Sequence, residues 1–170
     1  MTSTADAPAD RGVGRLARAG LLTGLSDGLF SSVLSVAFYH STVTRLFQGV
    51  AAVPFGPGAL RGGTRMAIVG VALHFCVAFG WSAMFAALLG LAPIRRLAAQ
   101  PAGRLAAAGI YGPLVWMVMS LVVIPLFLHR PPVFNGRWWT QFVGHAPFVG
   151  LPIVWTLAGR RADQRSSAFA

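Results

Sequence analysis

Residues 66–91 read MAIVGVALHFCVAFGWSAMFAALLGL, 26 positions without an Asp, Glu, Lys or Arg. Crossing a hydrocarbon core takes about 20 helical residues, so this stretch is long enough to span a bilayer as one helix. Alternation at strand length is absent. In lipid each backbone N–H and C=O must bond within its own segment, which leaves a helix as the solution. Residues 21–40, 105–128 and 138–157 form three further blocks of the same kind. Aromatic residues mark their edges, as amphipathic rings do at a membrane interface: Tyr39 closes the first block, Trp138 and Trp139 open the fourth, and Trp155 lies near its far end. The expected fold is all-α, an integral membrane four-helix bundle of up-down topology.

The composition bears on the same point. The chain has 170 residues, 55% hydrophobic and 11% charged, whereas a soluble domain carries about a quarter charged residues. Four acids (Asp6, Asp10, Asp27 and Asp163) are too few to solvate a globular surface of this size. All 14 basic residues are arginine and the net charge is +10. Such an excess can signal nucleic acid, but these arginines fall between the apolar blocks rather than along one face. Guanidinium groups so placed meet lipid phosphates, so membrane lipid is the expected partner and nucleic acid is not. The N-terminal segment, second loop and C-terminal tail hold nine arginines, against five in the first and third loops. That bias puts both termini in the cytoplasm. Abundant Arg and Ala with no Lys suits a GC-rich bacterial genome, hence a bacterial inner membrane. The single cysteine, Cys76, gives neither an intrachain disulfide nor a Cys-based metal motif.

Residues 1–12 read as a disordered tail, 13–160 as the transmembrane domain and 161–170 as a C-terminal tail. The first block is too long for the apolar part of a signal peptide and is expected to be retained. The first loop, 41–63, contains Phe47-Gln48-Gly49 and Pro54-Phe55-Gly56-Pro57-Gly58. Its apolar residues suit a short interfacial helix or a re-entrant segment, broken near Pro54.

Small residues at four-residue spacing let helices approach closely. Gly20, Gly24 and Gly28 do so in the first block, Gly70 with Ala78 and Ser82 in the second, and Ala108 with Gly112 in the third. The first block also carries a polar row, Thr23, Asp27, Ser31 and Ser35, with Tyr39 next in the series. On a straight helix that row drifts by about 40° per step, a sloping seam. Its hydroxyls suit interhelical hydrogen bonds. Asp27 is different, because an acid within a span is costly and marks a candidate functional site.

Two more blocks carry interior polar groups: His74 in the second, and Gln141 with His145 one turn on in the fourth. Counted from Met66 and Trp138, the two rings lie about 12 and 10 Å deep, entering from the same side and so at one level. Asp27, entering from the opposite side, is not expected there. Asp27, Gln48, Gln141, His74 and His145 are therefore the candidates for binding a proton, cation or small polar ligand. Two level histidines are also the minimum for a bis-imidazole haem or a divalent-metal site, which makes His74 and His145 candidate metal ligands. The plainer reading has each ring bonded to a hydroxyl, to Gln48 or to a backbone carbonyl. His40 and His129 fall at helix exits as interfacial residues, and Met117 and Met119 read as core filling. No phosphate loop, Ser–His–Asp arrangement or carboxylate pair marks an enzyme.

Several short stretches run through these blocks: Gly24-Leu25-Ser26-Asp27, Phe47-Gln48-Gly49-Val50-Ala51, Gly62-Gly63 and Gly70-Val71-Ala72-Leu73-His74-Phe75. Tyr111-Gly112, Val118-Met119-Ser120, Pro125, His145 and Val149-Gly150-Leu151-Pro152 follow. With them the chain resembles the YagU-like family of small bacterial four-span inner-membrane proteins, departing from the family pattern at Ser120, where Asn is expected. The resemblance implies a four-helix membrane fold and no particular activity. It carries Asp27, Gln48, His74 and His145 forward as positions to test. Three functions are open at this stage: a membrane protein binding or conducting a proton, cation or small polar ligand; a haem or metal redox subunit; or a structural partner, as homo-oligomer or within a larger membrane complex.

Overall fold

The computed structural model describes residues 8–166, with side-chain surroundings from residue 12 to residue 159. Among the described residues there is helix and no strand. Helix α1 (Pro8–Val33) runs on through a π-helical turn, Leu34–Phe38; α2 is Val43–Phe55, followed by a short 3-10 turn. Then come α3 (Gly63–Leu88), the short α4 (Ala92–Leu97) and α5 (Pro101–Val118), which continues through a π turn, Met119–Val123, into α6 (Ile124–Leu128). Last are α7 (Gly136–His145), a π turn at Ala146–Gly150 and α8 (Leu151–Ser166). Four continuous stretches, Gly12–Phe38, Gly63–Leu88, Pro101–Leu128 and Gly136–Gly159, are long and apolar enough to cross a membrane. Of the tail read over residues 1–12, residues 1–7 lie outside the described residues and α1 has begun by Pro8; of the tail read over 161–170, α8 covers the chain to Ser166 and the rest lies outside.

Local chemistry sets the helix ends. Thr42 Oγ1 accepts from the Arg45 amide at 3.1 Å and opens α2; Asn135 Oδ1 accepts from the Trp138 amide at 3.0 Å and opens α7. Such side chains satisfy amides that the first turn leaves unpaired. Gly56, at φ 76°, ends α2. His40 and His129 sit in the left-handed region, at φ 49° and 50°, where α1 and α6 stop. Two of the three π turns have a cause in sequence. Proline lacks an N–H and clashes with the carbonyl four residues back, and a widened turn relieves both. Pro125 follows the Met119–Val123 turn, and Pro147 lies inside Ala146–Gly150.

α1 packs between α3 and the α7–α8 helix, and α5 packs on the other side of α7–α8. Side chains close the remaining gap: Tyr111 of α5 donates to the Trp81 carbonyl at 2.7 Å and tilts against Phe85 of α3. Glycines set how closely these elements meet. At Gly112 a methyl group would strike the His145 backbone, at Gly150 the Ala108 carbonyl, and at Gly70 the Phe47 carbonyl of α2. The Gly20–Gly24–Gly28 stripe works differently, as a groove for rings: Phe79 fills it at Gly20, Phe75 at Gly24 and His74 at Gly28.

What is buried divides the bundle in two. One end holds a dry cluster gathering the early part of α1 (Ala19), the end of α3 (Phe85, Leu89), the start of α5 and the middle of α8 (Ile153, Val154, Leu157). The other end buries more polar residues, beside a second, smaller apolar cluster of Ala51, Ala52 and Ala59, and large aliphatics face outward along the whole bundle. Leu29, Ile68, Ile110 and Leu126 are each more than 60% exposed, while Thr23, Ser35, Ser120, Gln141 and His145 are buried.

Candidate functional site

Helix geometry brings Asp27 and His74 together. Asp27 lies eleven residues before Phe38 and His74 eleven after Gly63, so each is about 16 Å from the end of the bundle that α2 joins. The expectation that Asp27 lies off the level of the histidines is thereby corrected. Depth has to be counted from a shared end, and α1 is long enough to carry Asp27 down to meet the ring. His74 Nδ1 stands 4.0 Å from Asp27 Oδ2, and the two side chains are equally half-sheltered. That is ion-pair range, longer than a direct hydrogen bond.

The other ring nitrogen fixes the tautomer. His74 Nε2 lies 2.9 Å from the Gly24 carbonyl. A carbonyl only accepts, so Nε2 carries a hydrogen and Nδ1 is the nitrogen that faces Asp27. The ring is held edge-on by Phe47 and Phe75, and Gly28 leaves it room. A methyl group at position 28 would stand 3.3 Å from His74 Nε2, so the ring would have to give by a few tenths of an ångström.

His145 is buried on the opposite wall of the α1 seam. Its Nδ1 donates to the Gln141 carbonyl at 2.7 Å, which leaves Nε2 as the acceptor. The Trp116 ring lies 5.0 Å away, centre to centre. Gln141 donates to Ser31 Oγ at 3.2 Å, joining α7 to the polar row of α1. Ser26 adds a second tie, donating to the Phe148 carbonyl at 2.6 Å within the π turn of the last helix.

Five buried polar atoms have no partner among the described residues: Thr23 Oγ1, Asp27 Oδ1, Ser35 Oγ, Gln141 Oε1 and Trp116 Nε1. Three lie on the α1 row, one belongs to the amide bonded to that row, and the fifth is the indole beside His145. An unmade bond to a buried polar atom costs about 1–3 kcal/mol, so the four on α1 and Gln141 call for water or a polar ligand. Two hollows, of about 310 and 660 Å³, open on the surface at Arg15–Leu89–Leu157 and at Phe30–Trp139–Phe148. Neither is lined by Asp27, His74, Gln141 or His145.

The other sequence candidates have separate positions. Gln48 is buried but faces the start of α3, where it donates to the Gly63 carbonyl at 3.0 Å. It fastens α2 rather than joining the polar group. His40 and His129 are exposed. Ser120 accepts from the Trp138 indole at 3.1 Å. Each histidine has one nitrogen bonded to a carbonyl, which leaves the other able to coordinate as metal-ligating histidines do, but among the described residues no three His, Cys, Asp or Glu side chains form a ligand set. Trp116 was not a sequence candidate. The signal for it is an indole in the middle of a span, where its N–H needs a partner, rather than at the interface. Comparison of the chain with protein-family models, curated proteins and solved structures gives no match.

Proposed function

We propose that this chain is a multi-pass protein of a bacterial inner membrane, an up-down bundle with both termini cytoplasmic, whose interior binds or conducts a proton, a cation or a small polar ligand. The membrane reading is supported by the four long apolar stretches and by the outward aliphatics, whose exposure to water would form apolar patches far larger than a soluble monomer shows. The functional reading is carried by one observation: a carboxylate and an imidazole face each other deep in the bundle, on a row of buried polar atoms without partners. In lipid such groups are expensive, face the interior and serve ion or proton handling by default. The second reading, a haem or metal redox subunit using His74 and His145, has no third protein ligand beside them among the described residues.

The test is the thermal stability of the purified protein in detergent, measured against pH and a panel of Na⁺, K⁺, Mg²⁺ and small polar solutes. Wild type shifts with at least one of these, and the combined Asp27→Asn, His74→Gln, His145→Gln variant does not. Identical responses from a folded variant and wild type would remove the basis for an interior site.

A further inference from the structure

The spacing of the α1 row narrows what the seam handles; on it Ser31 already accepts from Gln141, and Thr23, Asp27 and Ser35 each carry a buried polar atom without a partner among the described residues. Thr23, Asp27, Ser31 and Ser35 recur every four residues, so neighbours are about 6 Å apart along α1. That is close to twice an O–H···O distance of about 2.8 Å, the span that one water bridges between two oxygens. Thr23 and Ser35 are 2% and 0% exposed and Gln141 is 8% exposed, each with a polar atom lacking a partner and turned into the seam. Oxygens in single file do not make a cage, and a bare metal cation requires several at once. One carboxylate stands on the whole row, and the surface hollows do not reach it.

Beyond Thr23 the polar row stops. One turn towards the chain terminus is Ala19, fully buried in the dry cluster with Phe85, Ile153, Val154 and Leu157. The buried polar side chains at that end use their hydrogen bonds locally: Ser82 donates to the Ala78 carbonyl and Arg104 to the Ala98 carbonyl. At the other end the row runs past Ser35 to Tyr39, over which the Arg137 guanidinium sits at 4.2 Å.

Resting on the reading of an interior polar site, we infer that its ligand is a proton, passed along bridging waters from the Ser35–Tyr39 end and held at Asp27 and His74, with no exit through the dry end. At rest the pair shares one proton between Oδ2 and Nδ1 and is neutral overall, either as carboxyl and imidazole or as carboxylate and imidazolium. Uptake of a second proton gives a neutral carboxyl beside an imidazolium, and its release restores the pair. No bond other than O–H and N–H is made or broken. Asp27 and His74 face each other; on α7 the buried titratable side chain is His145, and α2 contributes the Phe47 ring, which does not titrate.

The experiment uses the full chain in lipid vesicles, with infrared difference spectra across a pH series and an entrapped pH dye. The inference predicts a pH-dependent carboxyl band that is lost in Asp27→Asn and shifted in His74→Gln. It also predicts proton flux no faster than in protein-free vesicles. Flux above that level in wild type overturns the closed end. A band that moves with Na⁺ or K⁺ at constant pH overturns proton selectivity while leaving an interior cation site standing. A band unaffected by pH, cations or Asp27→Asn overturns both this inference and the site it rests on. Because Asp27→Asn and His74→Gln keep side-chain size, their folding is checked by the melting temperature of the same samples.

Discussion

The two ends of this bundle meet the same demand, burying helical surface, in opposite ways. The end containing Ala19, Phe85, Ile153 and Val154 fills its interior with aliphatic and aromatic groups and pairs its few polar ones, as in Tyr111 to Trp81 and Ser82 to Ala78. The end containing Ser31, Ser35, Gln141 and His145 puts polar atoms inside and leaves several without partners. A chain selected only to fold would finish both ends like the first, since unmade hydrogen bonds cost stability. The contrast is what supports placing the proposed site at the second end, with the first holding the helices together.

Substitutions break or sharpen that contrast to different degrees. The largest effect is expected at the α5–α7 contact, where Gly112→Val drives a side chain into the His145 backbone. Backbone has no rotamer with which to give way, so a loss of about 3 kcal/mol or more is expected, read as a lower denaturation midpoint. It would affect both ends, because this contact carries His145. Ile153→Ala, inside the dry end, should cost about 3 kcal/mol and leave the carboxyl band of Asp27 unchanged. A shift of that band would mean the two ends are not separate. Gly24→Ala meets the Phe75 ring rather than backbone, so about 1–2 kcal/mol is expected, with a spectroscopic change because the Gly24 carbonyl holds His74.

The smallest and sharpest comparison is a matched pair. Ser82→Ala removes a made bond at the dry end and should cost about 1 kcal/mol. Ser35→Ala removes a hydroxyl whose partner is water and should cost less than about 0.5 kcal/mol. Equal losses would show that the two ends are built alike.

Much of this was legible in the residues. Four apolar blocks located the long helices, because hydropathy over about 20 residues is set by composition alone. The row Thr23–Asp27–Ser31–Ser35 was visible as a spacing, and a short helix within loop 41–63, now α2, from its apolar residues. What was not legible depends on how one helix lies against another. Asp27 appeared to be off the histidines' level until α1 and α3 were measured from a common end. The glycine stripe was visible, but that it receives Phe79, Phe75 and His74 was not. Gln48, one of the predicted site residues, turns instead to the carbonyl of Gly63, two residues after the 3-10 turn ends at Arg61. The π turn at Leu34–Phe38 has no proline to announce it.

The central claim is tested most directly by experimental density of high resolution for the space between Asp27, Ser31, Ser35 and Gln141. The account predicts discrete solvent or ligand peaks within hydrogen-bond distance of Thr23 Oγ1, Asp27 Oδ1, Ser35 Oγ and Gln141 Oε1. Aliphatic side chains packed against those atoms, or the row turned outward to the acyl chains, would contradict it.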